Sequence, residues 1–286
     1  MTRPSEPALP APSSSEPTLA SATTLRERAR TILALALPII GGMASQNVLN
    51  IVDTAMVGQL GSPALGAVGF GGVVHWLAAS FFLGMGSGVQ AIAARRTGEK
   101  DTRGAVASVH GALIVVALLV IPYALLLSTQ TDWIYNLLSD DKRVIELGAP
   151  YLRVRLYAMC FVVCNYSFRG YWNGIGRSTV YLRTILVIHV VNIFLNWVLI
   201  FGNLGFPKLG VTGAGIASAI AVACGTLTYC VLAYRHSRDD GFLTRGATPP
   251  GTVRNVLRLS VPAGMQNLFM SAGFVALYRI AQLLGT

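Results

Sequence analysis

The chain has 286 residues, of which 53% are hydrophobic and 12% charged, with a formal net charge of +10. A soluble domain of this length carries about twice that charged fraction, so composition excludes an ordinary water-soluble module and points to a polytopic α-helical membrane protein. The basic excess sits in the connections between apolar runs rather than in one patch, which argues against a nucleic-acid partner.

Residues 1–25 are rich in Pro, Ser, Ala, Thr and Glu and lack a basic stretch followed by an apolar core. They read as a disordered cytoplasmic tail, not a secretory signal. The first span follows, Ile32 to Gly61, and carries a single carboxylate, Asp53. A charge at mid-membrane costs roughly 2.5–3.5 kcal/mol on insertion scales. Asp53 is also the only acid within any apolar span, so it is the leading functional candidate. Gln46, Asn50 and Asp53 are spaced i, i+4, i+7 and share one helical face. Pro38, in the first half of the span, marks a hinge candidate.

Five more spans are expected near 66–94, 104–129, 149–172, 179–202 and 211–235, and a seventh near 253–283. Gly84 and Gly88 in the second span form a GxxxG pair suited to close helix packing. The segment 130–155 is mixed in charge, with Asp132, Asp140, Asp141 and Glu146 facing Lys142, Arg143, Arg153 and Arg155. In the fifth span His189, Asn192 and Asn196 form a second polar stripe, with His189 read as a neutral packing residue. The four cysteines lie in apolar spans at no metal-binding or disulfide spacing. Lys and Arg concentrate before the first span, between the second and third, between the fourth and fifth, and after the sixth. That places the N-terminus and the 236–252 linker in the cytoplasm, with residues 26–235 forming a six-helix lobe.

The seventh span repeats the first. At an offset of 224 residues Arg30 falls on Arg254, Leu33 on Leu257, Leu35 on Leu259, Pro38 on Pro262, and Leu60-Gly61 on Leu284-Gly285. Pro262 is thus a second hinge candidate. The inference is a six-plus-six parallel repeat whose second lobe, 253–286, is incomplete by roughly 150–180 residues. A fragment of that kind is expected to be inactive by itself.

Helix rise sets depth. Asp53, Asn196 and Ser218 are expected at one level, roughly 10 Å from the outer boundary, with Asn192 one turn deeper. A carboxylate, two amide carbonyls and a hydroxyl at one depth suit a proton or a small hard cation, whereas the alternative is a hydrogen-bond network that only holds helices together.

Three segments together resemble the multidrug and toxic compound extrusion family of cation-coupled antiporters. They are Pro38 with Asp53-Thr54-Ala55-Met56-Val57-Gly58, the run Asn192 to Gly202, and the run Gly210 to Ser218. The resemblance covers the chain from Arg26 onward. It implies twelve helices in two lobes around a central cleft, in the cytoplasmic membrane of the cell. It further implies export of organic cations or drugs against inward H⁺ or Na⁺, by a monomer with no cofactor. Asp53 matches the family's coupling carboxylate, and Asn192 and Asn196 its polar pair, the three being the set that a Na⁺ ion would use. Some members carry an acid where Asn196 stands, so this site has one charge fewer. Others use an acid in the seventh helix, but 253–286 contains none. Two other readings remain open. A lipid-linked precursor flippase of the same superfamily needs a cationic cleft, and few Lys or Arg are central here. An intramembrane enzyme needs a nucleophile or metal constellation, and neither HExxH nor GxSxG occurs.

Overall fold

The computed structural model describes the backbone of residues 25–242 and 249–283, and the side chains of 32–242 and 249–277. The expected tail, the middle of the linker, and Leu284 and Gly285 of the repeat lie outside the described residues. The chain divides into two units, Met1–Ala34 and Leu35–Thr286. Everything below concerns the second.

Among the described residues ten α-helices follow in order: α1 (Leu25–Gly58), α2 (Ser62–Gly98), α3 (Thr102–Val115), α4 (Ile121–Ser128), α5 (Thr131–Leu138), α6 (Lys142–Tyr157), α7 (Met159–Gly174), α8 (Ser178–Phe201), α9 (Gly210–Ser237) and α10 (Thr252–Leu283). A π-helical turn, Val116–Val120, joins α3 to α4, so the two form one span, Thr102–Ser128. Pro122 accounts for the widened turn, because it has no N–H to return to the preceding carbonyls.

Among the described residues five helices are long and apolar enough to cross a membrane, and six when α6 and α7 count as one broken span. Three expectations change here. The fourth span begins at Lys142 rather than near 149, and it bends by 44° between Tyr157 and Met159. The mixed segment before it contains a separate short helix, α5. Its Asp132 pairs with Arg153 at 2.6 Å, and its Tyr135 anchors it by donating to the Ala67 carbonyl. Helix α10 forms as expected over Thr252–Leu283, but the polar pair Gln266-Asn267 at its middle keeps it out of the five. Pro38 and Pro262 both lie within unbroken helices.

Helix ends follow local chemistry. Asp101 and Asp141 cap α3 and α6 by accepting the amides of Gly104 and Arg143, each at 2.8 Å. Gly202 ends α8 with φ +79°, a left-handed conformation for which glycine has no steric cost.

Helix α2 is the centre of the packing. Gly84 and Gly88 lie on one face and Gly86 on the opposite one, as a 100° step per residue requires. A Cβ on Gly84 would press on the Gly264 amide nitrogen of α10 and stand 2.7 Å from the Ser260 carbonyl oxygen. One on Gly88 would strike the Ser260 hydroxyl. The GxxxG pair of α2 thus packs on a Ser-x-x-x-Gly pair of α10. On the other side, a Cβ on Gly86 would stand 2.9 Å from the Tyr166 carbonyl of α7, and one on Gly170 of α7 would strike the Gly86 carbonyl.

Helices α8 and α9 make an antiparallel hairpin. Gly213, Ala217, Ala221 and Gly225 recur every fourth residue on α9 and are all buried. A Cβ on Gly213 would meet the Leu199 carbonyl at 2.5 Å, and one on Gly225 would meet Ile188. Small residues therefore bring the two backbones together, and this register sets Asn192 of α8 against Ser218 of α9.

Candidate functional site

The polar residues of α1, α8 and α9 form two hydrogen-bonded groups. In the first, Asn196 donates through Nδ2 to Asp53 Oδ1 at 2.7 Å and to Asn192 Oδ1 at 3.1 Å. Asn192 Nδ2 then donates to Ser218 Oγ at 3.2 Å. One continuous chain thus runs Asp53–Asn196–Asn192–Ser218 across three helices. Asn196 and Asn192 are 1% and 3% exposed, whereas Asp53 and Ser218 are half-buried. Ser218 meets Asn192, not Asn196, so it belongs one turn below the level that helix rise suggested. The reason is the hairpin register of α8 and α9.

In the second group Ser45 Oγ and His189 Nδ1 lie 2.7 Å apart, and His189 Nε2 lies 3.4 Å from Gln46 Oε1. Gln46 Nε2 donates to Asn50 Oδ1 at 3.1 Å. Gln46, Asn50 and Asp53 share a helical face, yet Asn50 is exposed and no hydrogen bond among the described residues joins it to Asp53. Sequence reasoning missed Ser45. The signal was a small hydroxyl beside Gln46, one too common in membrane helices to stand out.

The geometry has a direct chemical reading. An ionised carboxylate only accepts hydrogen bonds, and Asp53 accepts one from Asn196. Asn196 Oδ1 is buried and takes no hydrogen bond among the described residues, so one acceptor at the site is free. Protonation turns Asp53 into a donor. The Asn196 amide can then present Oδ1 in place of Nδ2, which reorders every bond down to Ser218. The same oxygens are of the type that hold a hard cation, although no cluster of three or more His, Cys, Asp or Glu suited to a metal occurs among the described residues.

Two further ionisable groups lie nearby that sequence reasoning passed over. His75 of α2 is 5% exposed, and its Nδ1 has no hydrogen-bond partner among the described residues. Arg155 was counted with the mixed segment. It lies instead on the inward face of α6, its Nε buried and likewise unpartnered.

Comparison with known proteins agrees with this architecture. The chain is 26% identical to "Probable multidrug resistance protein NorM" of Thermotoga maritima, over 90% of this chain and 55% of the relative. It is 29% identical to "Probable multidrug resistance protein YoeA" of Bacillus subtilis, over 86% of this chain and 54% of the relative. The chain thus spans about half the length of the curated relatives it matches. Among solved structures it superposes on an outward-facing multidrug resistance MATE family transporter of the MOP superfamily, with TM-score 0.79 and 25% identity, covering 90% of this chain and 56% of that one. It also superposes on a MOP superfamily transporter from Pyrococcus furiosus, described as having a binding pocket of reverse polarity, with TM-score 0.76 and 25% identity, covering 86% and 54%. The MatE family model matches residues 38–198, a stretch that takes in α1 from Pro38, the hydrogen-bonded carboxylate and both asparagines. With more than half its length so matched, this multi-pass membrane chain belongs to the MatE family of multidrug and toxic compound extrusion transporters, and not to an enzyme family.

Proposed function

We propose that the protein of which this chain is part is a secondary active antiporter. It exports organic cations or drugs across the cytoplasmic membrane against H⁺ or Na⁺ influx, as a monomer with its N-terminus in the cytoplasm. Asp53 is the coupling carboxylate, and Asn196, Asn192 and Ser218 relay its state from α1 to α8 and α9. One observation supports this most strongly. Asp53, the one acid in the five single candidate spans among the described residues, is hydrogen-bonded to a buried amide whose remaining oxygen is unpartnered.

The exchange follows from that chain. Ionised Asp53 is tied to Asn196 and attracts a cationic substrate. Uptake of a proton neutralises the carboxylate, weakens its hold on the substrate and changes its bond to Asn196 from accepted to donated. The substrate leaves, α1 repacks on α8, and the empty site returns to release the proton. The positive-inside distribution of Lys and Arg supports the orientation.

The test is efflux of a fluorescent organic cation by the full-length gene product in proteoliposomes, with an imposed pH or Na⁺ gradient. Asp53→Asn is expected to lose gradient-driven efflux while keeping its fold. Undiminished efflux in Asp53→Asn refutes the assignment.

A further inference from the structure

The position of Arg155 is set by the packing of three helices that run in the same direction. Tyr151, Leu152 and Leu156 line the buried face of α6, at 5%, 0% and 0% exposure. The Tyr151 ring sits over Gly71 of α2, where a Cβ would stand 2.8 Å from it, and beside Gly215 of α9. One turn further along each helix come Arg155 on α6, His75 on α2 and Ser218 on α9. Arg155 therefore stands at the level where Ser218 receives the hydrogen bond from Asn192. It makes no ion pair among the described residues, its Nε is buried without a partner, and the hydrogen-bonded chain that ends at Ser218 begins at Asp53.

We propose that Arg155 is a specificity-determining residue of this site: its fixed positive charge excludes Na⁺ and other metal cations from the oxygens of Asp53, Asn196, Asn192 and Ser218. A guanidinium does not lose its proton in a protein, so the charge is permanent. Arg155 stands at the Ser218 end of the hydrogen-bonded chain and Asp53 at the other, so a cation held by these oxygens meets both charges. A metal cation entering beside the carboxylate brings a second positive charge close to a fixed one in a low-dielectric setting, which weakens binding on the order of tenfold to hundredfold.

The ligand count points the same way. A hard cation needs several oxygens at once. Asn192 Oδ1 is taken by Asn196, and Ser218 Oγ by Asn192, which leaves the Asp53 carboxylate and Asn196 Oδ1. A proton needs only one acceptor. The inference deepens the antiporter reading, since it rests on Asp53 as the cation-binding carboxylate, and it selects H⁺ as the coupling ion.

The experiment reads binding rather than transport, so its failure is separable from that of the antiporter reading. The full-length protein is purified in detergent, and its melting temperature is compared in NaCl and in KCl at equal ionic strength. The wild-type protein and Arg155→Lys are expected to melt alike in the two salts. Arg155→Gln is expected to gain a Na⁺-specific stabilisation, reflecting at least about tenfold tighter Na⁺ binding. The double variant Asp53→Asn/Arg155→Gln is expected to lose that gain. Arg155→Met serves as a second neutral variant should Arg155→Gln not fold. A Na⁺-specific stabilisation of the wild-type protein overturns the proposal, as does indifference to Na⁺ in whichever neutral variants fold.

Discussion

Gly84 gives the most direct measure of how closely α2 and α10 approach. In Gly84→Ala the new Cβ would press on the Gly264 amide nitrogen and stand 2.6 Å from the Gly264 Cα and 2.7 Å from the Ser260 carbonyl oxygen. Ordinary contacts between such atoms are about 3.5–4.0 Å, so the helices must part by about 1 Å at this point. All three neighbours are backbone, and none can swing away. Overpacking of this kind costs about 1–3 kcal/mol, and the rigid surroundings place Gly84 near the upper end. The control is Gly72→Ala on the same helix, where no atom lies within 4 Å of the added methyl. Both substitutions gain the same intrinsic helix preference of Ala over Gly, about 1 kcal/mol, so their difference isolates the clash. Gly84→Ala should therefore unfold about 2–3 kcal/mol more easily than Gly72→Ala in denaturant titrations of the detergent-solubilised protein. Gly88→Ala adds a second comparison. Its Cβ strikes the Ser260 hydroxyl, so Ser260→Ala should rescue Gly88→Ala in part and leave Gly84→Ala unrelieved. Equal stability of Gly84→Ala and Gly72→Ala would refute the close approach.

Asn196→Ala removes both bonds that this amide donates and leaves Asp53 and Asn192 Oδ1 unpaired. Only the bond to Asp53 crosses helices, so at ~0.6 kcal/mol for an interhelical bond the loss should be under about 1 kcal/mol, with faster amide hydrogen exchange in the second half of α1. Gly42→Ala forces its methyl into the Tyr181 ring, 2.7 Å from Cζ, so it should destabilise by about 1–2 kcal/mol and be relieved by Tyr181→Ala. Asp132→Ala breaks an ion pair whose side chains are 40% and 66% exposed, and should change the melting point by less than the equivalent of about 1 kcal/mol. Glu99 is held below the usual carboxylate range chiefly by its hydrogen bond from Arg95, helped by the charges of Arg95 and Arg96. A lowered folded-state value means that this contribution is present above the unfolded value and fades only as pH falls through the folded one. Protection factors in the 95–101 turn should therefore show no pH dependence between about pH 8 and pH 6, in the wild-type protein and in Glu99→Gln alike.

The most legible part of the sequence was the polar chemistry of α1 and α8. An Asp or Asn in a long apolar run is costly, and helical spacing says which of them share a face. That reasoning selected Asp53, Asn192, Asn196 and Ser218, which the fold joins into one chain. It did not separate Asn50 from Asp53, because a shared face does not say how far a neighbouring helix reaches along it. Arg155 was illegible for a different reason. Charge near a loop was assigned to the loop, and nothing in the residues around Ala158 announces a 44° bend that carries Arg155 within a span. The GxxxG pair of α2 was readable as a packing surface, but its partner was not. Small residues recur on α7, α9 and α10, and only the fold decides that Ser260 and Gly264 face Gly84 and Gly88.

On the proposed antiporter reading, the way α1 is held bears on how a proton would move it. Only 11% of its most apolar stretch is buried within this chain, against 33–39% in the other four single-helix spans. Its second half has few apolar anchors, Leu49 and Val57 being the fully buried ones. What fastens it to α8 is instead a ladder of specific contacts: Gly42 against Tyr181, Ser45 and Gln46 with His189, and Asp53 with Asn196. Apolar burial is indifferent to protonation, whereas the Asp53 rung reverses its donor and acceptor roles when the carboxylate gains a proton. A helix fixed by a few such rungs shifts its equilibrium position when one of them changes. The energy involved, ~0.6 kcal/mol for a rung of one interhelical bond, is enough to change a population ratio about threefold. Neighbouring helices pinned by interlocked glycines, as α2 is between α7 and α10, have no comparable handle. On the proposed antiporter reading, α1 is the element that responds within this chain, and α2 the frame against which it does so.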